Sequence, residues 1–225
     1  DGDGDLDAFV NNRSQGNKVW LNNGSGSFTD SGQSLGSSYS RDVALGDVDG
    51  DGDLDAVSVN GEGAASKVWL NNGSGSFTDS GQSLSGSNIR GLSLGDVDGD
   101  GDLDAFVSQD NHANKVWLND GSGSFTDSGQ SLGNSKSLGA SLGDVDGDGD
   151  LDAFVTNYAP QGNRVWLNDG SGSFSDSGQS LGSSYSNGVS LGDIDGDGDL
   201  DAFVVNYHDQ ANKVWLNDGS GSFSD

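Results

Sequence analysis

The sequence predicts an all-β fold: a β-propeller of four-stranded blades, built from five repeats of about 48 residues. Three observations carry this expectation. Five tryptophans, Trp20, Trp69, Trp117, Trp166 and Trp215, recur at spacings of 49, 48, 49 and 49 residues. The segments between them are short, rich in Val, Phe and Trp, and bounded by Gly, Asn and Asp, as strands are. No segment keeps a helical period over ten residues. About four short strands in a repeat of this length make a propeller blade, whose faces are covered by its neighbours. A β-helix has much shorter rungs, and a nine-residue Gly/Asp roll would run without interruption.

Each unit reads in one order. Strand A, an apolar alternation such as Val43 and Leu45, enters an Asp-rich loop. Strand B is "LDAFV" or a relative, and a variable loop follows. Strand C is "NKVWLN" or a relative. Asp-Gly or Asn-Gly then marks a hairpin turn, at Asn72-Gly73, Asp120-Gly121 and Asp169-Gly170. Strand D runs through "GSF" to "DSGQSL". Counted from the Asp loop, the array divides into 1–46 (without strand A), 47–95, 96–143, 144–192 and 193–225 (truncated). The incomplete first and last repeats read as part of a longer array.

Composition alone points the other way. Only 31% of residues are hydrophobic and the net charge is −27, which in an unpatterned chain reads as disorder. Here the apolar residues recur at fixed places, so they can build a core. The acidity is also concentrated: 24 of the 36 acidic residues lie in the Asp loops, and Glu62 is the sole Glu. Such charge excludes nucleic acid as a natural partner. There is no Cys for disulfide or redox chemistry and no apolar run long enough for a membrane span.

The Asp loop has the pattern of a cation site. In the second unit, Asp47, Asp49, Asp51, Asp53 and Asp55 occupy loop positions 1, 3, 5, 7 and 9, with Gly52 at position 6. Calcium takes six to eight oxygens, and alternate carboxylates in a tight turn supply them. Positions 1, 3, 5 and 9 would give carboxylates and position 7 its backbone carbonyl. The same set recurs as Asp96, Asp98, Asp100, Asp102 and Asp104; as Asp144, Asp146, Asp148, Asp150 and Asp152; and as Asp193, Asp195, Asp197, Asp199 and Asp201. The first loop holds Asp1, Asp3, Asp5 and Asp7 but lacks position 1, so it should bind weakly. About one Ca2+ per repeat is therefore expected. An EF-hand would carry Glu at position 12 and flanking helices. That position here is Ser58, Val107, Val155 or Val204, and the flanks are strands. Magnesium prefers fewer carboxylates and more water. In-register recurrence argues against plain solvated turns, and a site in every repeat argues for a structural ion.

With "DVDGDGDLDAFV" and "NKVWLNDGSGSF" at this spacing, the chain resembles FG-GAP (VCBS-type) repeats over essentially its whole length. Such repeats form the integrin α-subunit propeller and parts of large bacterial surface proteins. The resemblance implies a propeller, usually of about seven blades, with calcium between strands A and B. It implies ligands on the opposite face, built by the B–C and D–A loops. Two departures stand out: five copies fall short of that number, and the "FG…GAP" letters are replaced by forms such as "GSGSF" and "VSLGD", closer to the bacterial branch. A location outside the cell or on its surface, in a bacterium, follows from the resemblance.

Variation among the units falls in the B–C loops ("NNRSQGN", "NGEGAAS", "SQDNHAN", "TNYAPQGN", "VNYHDQAN") and the D–A segments ("GSSYSRD", "SGSNIRG", "GNSKSLG", "GSSYSNG"). All four Tyr lie there (Tyr39, Tyr158, Tyr185, Tyr207), with His112, His208, Arg13, Arg41, Arg90 and Lys136. In an up-and-down blade these connections share one face. Tyr39, Arg41, Arg90, Tyr158, Tyr185 and Tyr207 are thus candidate contacts for a protein or glycan ligand, since Tyr and Arg are favoured at recognition surfaces. Freely drifting surface loops are the plain alternative. The base before "VW" (Lys18, Lys67, Lys115, Arg164, Lys213) reads as structural. No nucleophile–base arrangement or isolated carboxylate pair marks an enzyme. Two functions follow: an adhesion or ligand-binding module, or a calcium-stiffened structural unit of a fibre or stalk that continues into further repeats or self-associates.

Overall fold

Strand-forming residues at short intervals, separated by Gly-rich turns, produce nineteen strands and no helix among the described residues. The computed structural model describes residues 1–36 and 39–225; Ser37 and Ser38, in the first variable D–A segment, lie outside the described residues. The first sheet has three strands: β1 (Ala8–Val10), β2 (Lys18–Asn22) and β3 (Phe28–Asp30). The second contains β4 (Ser40–Gly46), β5 (Asp55–Asn60), β6 (Lys67–Asn71) and β7 (Phe77–Asp79). The third contains β8 (Ile89–Gly95), β9 (Asp104–Gln109), β10 (Lys115–Asn119) and β11 (Phe125–Asp127). The fourth contains β12 (Ser137–Gly143), β13 (Asp152–Asn157), β14 (Arg164–Asn168) and β15 (Phe174–Asp176). The fifth contains β16 (Ser186–Gly192), β17 (Asp201–Asn206), β18 (Lys213–Asn217) and β19 (Phe223–Ser224). Each sheet is an antiparallel meander in chain order.

Two details depart from the sequence reading. The outermost strand, expected to run from "GSF" through "DSGQSL", is only three residues long in the first four sheets. The reason is local. The carboxylate of Asp30 accepts the Gly32 amide at 2.8 Å, and Gly32 takes φ +82°, which breaks the ladder. Pairing resumes further on as a single bridge, Leu35 to Asn17, repeated as Leu132 to Asn114 and Leu181 to Asn163. The second departure is a bulge between the innermost strand and its partner, at Ser40/Asp42, Ile89/Gly91, Ser137/Gly139 and Ser186/Gly188.

The core lies between sheets. Four apolar clusters each join consecutive sheets, for example Val97, Phe106 and Val116 with Ala153, Trp166 and Phe174. Edge-to-face phenylalanine pairs cross the junctions: Phe9–Phe77 at 5.4 Å, Phe106–Phe174 at 5.5 Å and Phe154–Phe223 at 5.2 Å. Innermost strands β4, β8, β12 and β16 lie side by side in that order. Two polar tethers repeat as well. Gln130 donates to the Gly172 carbonyl at 2.6 Å and accepts the Phe174 amide at 2.8 Å, as Gln33, Gln82 and Gln179 do at the other junctions. Asn119, Asn168 and Asn217 donate to the Val48, Val97 and Val145 carbonyls of the preceding sheet at 2.7–2.8 Å.

The end faces show what a neighbour contributes. Phe106 and Phe154 are fully buried, whereas Phe203, at the same repeat position in the fifth sheet, is 41% exposed. We predict that Phe154→Ala lowers unfolding free energy by about 3–5 kcal/mol, and Phe203→Ala by a small fraction of that, in urea titrations at fixed calcium.

Candidate functional site

The Asp loops join the innermost strand to the next, between β4 and β5 and at the three equivalent places. Position 6 turns the chain: Gly52, Gly101, Gly149 and Gly198 take φ of +93°, +98°, +99° and +101°. A Cβ there would meet nothing within 4 Å, so the glycine serves conformation and not space. Position 1 clamps the turn. Asp47 accepts the Gly50 amide at 2.8 Å on one oxygen and the Gly52 amide at 2.9 Å on the other. Position 9 pins the loop to its sheet. Asp55 is fully buried and accepts Val48 N at 3.0 Å and Asn71 N at 2.8 Å. Asp104 and Asp152 repeat both bonds.

These constraints gather three carboxylates in each of three loops: Asp47, Asp49 and Asp55; Asp96, Asp98 and Asp104; Asp144, Asp146 and Asp152. One oxygen from each lies within 4.8 Å of the others. Two oxygens bound at about 2.3–2.6 Å to one ion lie no more than about 5 Å apart, so the spacing suits a single hard cation. In the fifth loop the group is Asp193, Asp195 and Asp197, all exposed. Among the described residues no following sheet lies against that loop. One does lie against the loop of the second sheet: a Cβ on Gly50 would stand 3.4 Å from the Gly121 carbonyl, and one on Gly123 would stand 3.5 Å from Asp49 Cβ.

The remaining predicted ligands are placed differently. Position 5 (Asp51, Asp100, Asp148) accepts the position 7 amide at 2.9 Å and lies outside the three-carboxylate group. The position 7 side chains (Asp53, Asp102, Asp150, Asp199) lie against the hairpin turn between the third and fourth strands. There a Cβ on Gly73, Gly121, Gly170 or Gly219 would sit 2.5 Å from a carboxylate oxygen. That close approach explains the glycine, and it leaves position 7 only its carbonyl for an ion. In the first loop the terminal ammonium of Asp1 pairs with Asp7, and Asp3 accepts the Asp5 amide at 2.9 Å. No three-carboxylate group is found there among the described residues.

The crowding has an electrostatic cost. Burial first, then Asp98 and Asp100, push Asp104 up to about 6 against the pull of two backbone amides. Burial and then Asp146 and Asp148 do the same to Asp152. Asp49, Asp55, Asp98 and Asp146 are raised also, chiefly by burial. A divalent cation would offset this directly.

The second feature lies between the innermost strands, at the end where the variable loops meet. There β4, β8, β12 and β16 line a concavity of about 600 Å³. Its wall includes Arg41, Arg90, Leu138 and Asn187, each the residue at the bulge, where an extra residue re-aims a side chain. Lys136, Asp110, Tyr158 and Tyr207 complete the mouth. Arg90 pairs with Asp110 at 2.6 Å. Tyr39 lies between Arg13 and Arg41, whose guanidinium carbons stand 4.7 and 4.6 Å from its ring centre. Tyr158 and Tyr185 pack at 4.6 Å, His208 lies 5.0 Å from Tyr185, and the Tyr158 hydroxyl meets His208 Nε2 at 3.1 Å.

Thus Arg41, Arg90, Tyr158 and Tyr207 line the concavity, and Tyr39 and Tyr185 buttress it. His112 instead turns back to the Asp110 carbonyl, at 3.0 Å. Sequence reasoning missed Asp42, Asp110 and Asn187. The available signal was positional: Asp42 stands where the next three repeats have Gly91, Gly139 and Gly188, and Asp110 where others have Gly61, Tyr158 and Tyr207. The repeated base before "VW" pairs along its own sheet, Lys67 with Asp79 at 2.9 Å and Lys18 with Asp30 at 3.2 Å, for example.

The sequence model of the FG-GAP-like repeat matches residues 1–58, 47–107, 96–155 and 144–204. A search of curated proteins found no significant match. No helix is long and apolar enough to cross a membrane, a statement that does not bear on β-barrels.

The loop geometry separates positions 3 and 7. Asp98→Asn should weaken calcium binding at one site about tenfold or more, because ligand charge sets affinity. Asp102→Asn should change it far less. Calorimetric titration of metal-free protein reads both.

Proposed function

The chain belongs to the FG-GAP-like repeat family, and on that premise we propose that it is a calcium-binding β-propeller module that recognises a protein or glycan ligand outside the cell, on a bacterial surface. The observation that carries this reading is the convergence of variable positions. The repeats are near copies, yet the residues that differ (Arg41, Arg90, Leu138 and Asn187; Asp110, Tyr158 and Tyr207) meet around one concavity. A scaffold of like units with one unlike surface is how a repeat protein makes a specific site. The Asp loops lie at sheet junctions and serve the scaffold: calcium there, about one per complete loop, holds consecutive sheets together. The role is binding and not catalysis, since Asp110 is committed to Arg90 and Asp42 accepts the Leu92 amide at 3.0 Å.

A second reading has its own support. The two end sheets of the described residues present apolar faces, Phe203, Val205, Ile194 and Leu216 at one end and Phe28 and Leu6 at the other. Such faces suit continued stacking or self-association in a fibre or stalk.

Two outcomes are expected. Chelation with EGTA lowers the melting temperature by at least about 10 °C, as loss of several bound ions should, and calcium restores it. On arrays of glycans and surface proteins the calcium-loaded chain captures a ligand, and Tyr158→Ala with Tyr207→Ala abolishes capture. Capture that survives both substitutions, or no capture with stable self-association, favours the structural role.

A further inference from the structure

The charges on the loop face identify the kind of ligand. Nine basic residues stand against 36 acidic ones in this chain. Five of the nine, Lys18, Lys67, Lys115, Arg164 and Lys213, are committed to carboxylates on the outermost strands. The other four, Arg13, Arg41, Arg90 and Lys136, gather at the concavity and its rim. Arg90 is held by Asp110. Lys136 lies over the Tyr158 ring, 4.1 Å from its centre.

Arg13, Arg41 and Lys136 each lie over a tyrosine ring, and of these three Arg41 is the one with a buried nitrogen left without a partner among the described residues. No ion pair to it is found among the described residues. Its Nε is buried with no hydrogen-bond partner among the described residues, above Gly61, where a Cβ would stand 2.6 Å from that nitrogen. Burial, then Arg90 and Arg13, push its pKa down, while Tyr39 and Glu62 pull the other way without an ion pair to it among the described residues. The two carboxylates of the wall do not answer it. Asp110 is taken by Arg90, and Asp42 accepts the Leu92 and Val43 amides. A desolvated guanidinium beside two like charges is destabilising unless an anion completes it, and its planar fork matches a carboxylate.

We infer that the concavity binds a carboxylate-bearing sugar, its acid group on Arg41 and its ring against Tyr158 and Tyr207, which Tyr185 and His208 support from behind. This rests on the reading of the loop face as a recognition surface. Tyr207, half-exposed, supplies a flat apolar face with a hydroxyl edge, which suits the alternating apolar face and hydroxyl rim of a pyranose, and Tyr158 lines the site beneath Lys136. The volume, about 600 Å³, is in the range of about 300–1,000 Å³ found for small-molecule sites. Elsewhere the net charge of −27 repels an acidic ligand, so this face would be the one place on the described surface where it is retained.

The test is an array of immobilised glucuronate-, galacturonate-, mannuronate- and sialate-terminated oligosaccharides, each beside its methyl ester, probed with calcium-loaded protein. At least one acid should be captured at least about tenfold more tightly than its ester, as one charge-assisted bidentate contact implies. Raising salt should weaken capture. Arg41→Gln should lose about tenfold or more, with a melting temperature no lower than that of the parent chain. Arg41→Lys, which keeps the charge but not the fork, should fall between. Equal capture of acids and esters overturns the inference. So does capture only of neutral glycans or of acidic peptides on the same array; if that capture depends on Tyr158, the recognition surface stands and only the sugar-acid assignment fails. No capture of anything overturns both.

Discussion

The structure depends on the junction between consecutive sheets. A sheet of two- to seven-residue strands has too little apolar surface to be stable alone. Here every core cluster spans two sheets, so burial exists only when sheets stack. The exposed Phe203 and Phe28 at the ends, against buried Phe106 and Phe154, show the same dependence from the other side. Apolar stacking alone would let sheets slide. The Gln and Asn tethers set the register, because each joins a side chain to backbone groups of the adjacent sheet at fixed positions.

The Asp loops are tied into this junction. Asp55 holds the Val48 amide, and the Val48 carbonyl accepts Asn119 from the next sheet. The carboxylate that completes the three-residue group is therefore one hydrogen-bond step from the tether between sheets. Crowding raises the carboxylates, and burial at position 9 raises them most. A cation in the loop would relieve repulsion at the point where two sheets are joined. The fifth loop gathers positions 1, 3 and 5 in place of 1, 3 and 9, although Asp201 at position 9 is buried and keeps both amide bonds.

Most of this was legible in the sequence because the physics is local and repeated. Tryptophan spacing, turn glycines and alternating Asp give the strands, hairpins and loops without long-range information. The short outer strand was less legible: "DSGQSL" looks strand-like, but the Asp30 carboxylate and the positive φ of Gly32 end the ladder. The glutamine of that segment reads as a polar spacer in sequence, while in the fold it is the tether, since its partners lie 42 and 44 residues away. Position 5 was less legible. Its Asp repeats as regularly as the others, yet its carboxylate accepts the position 7 amide and lies outside the three-carboxylate group, while position 7 turns its side chain to a glycine and keeps only the expected carbonyl. On the variable face, sequence could name the tyrosines and arginines but not the bulge that lifts Arg41 and Arg90 out of the ladder, or the commitment of Asp110 to Arg90.

Hydrogen exchange with and without calcium tests the central claim, that a cation in one sheet's Asp loop secures the next sheet. With calcium, protection should rise at the loop amides Val48, Val97 and Val145, and also at Phe125, Phe174 and Phe223, which belong to the following sheets and bond to the glutamine tethers. Protection that rises only within the loops, with Phe125, Phe174 and Phe223 unchanged, would contradict it.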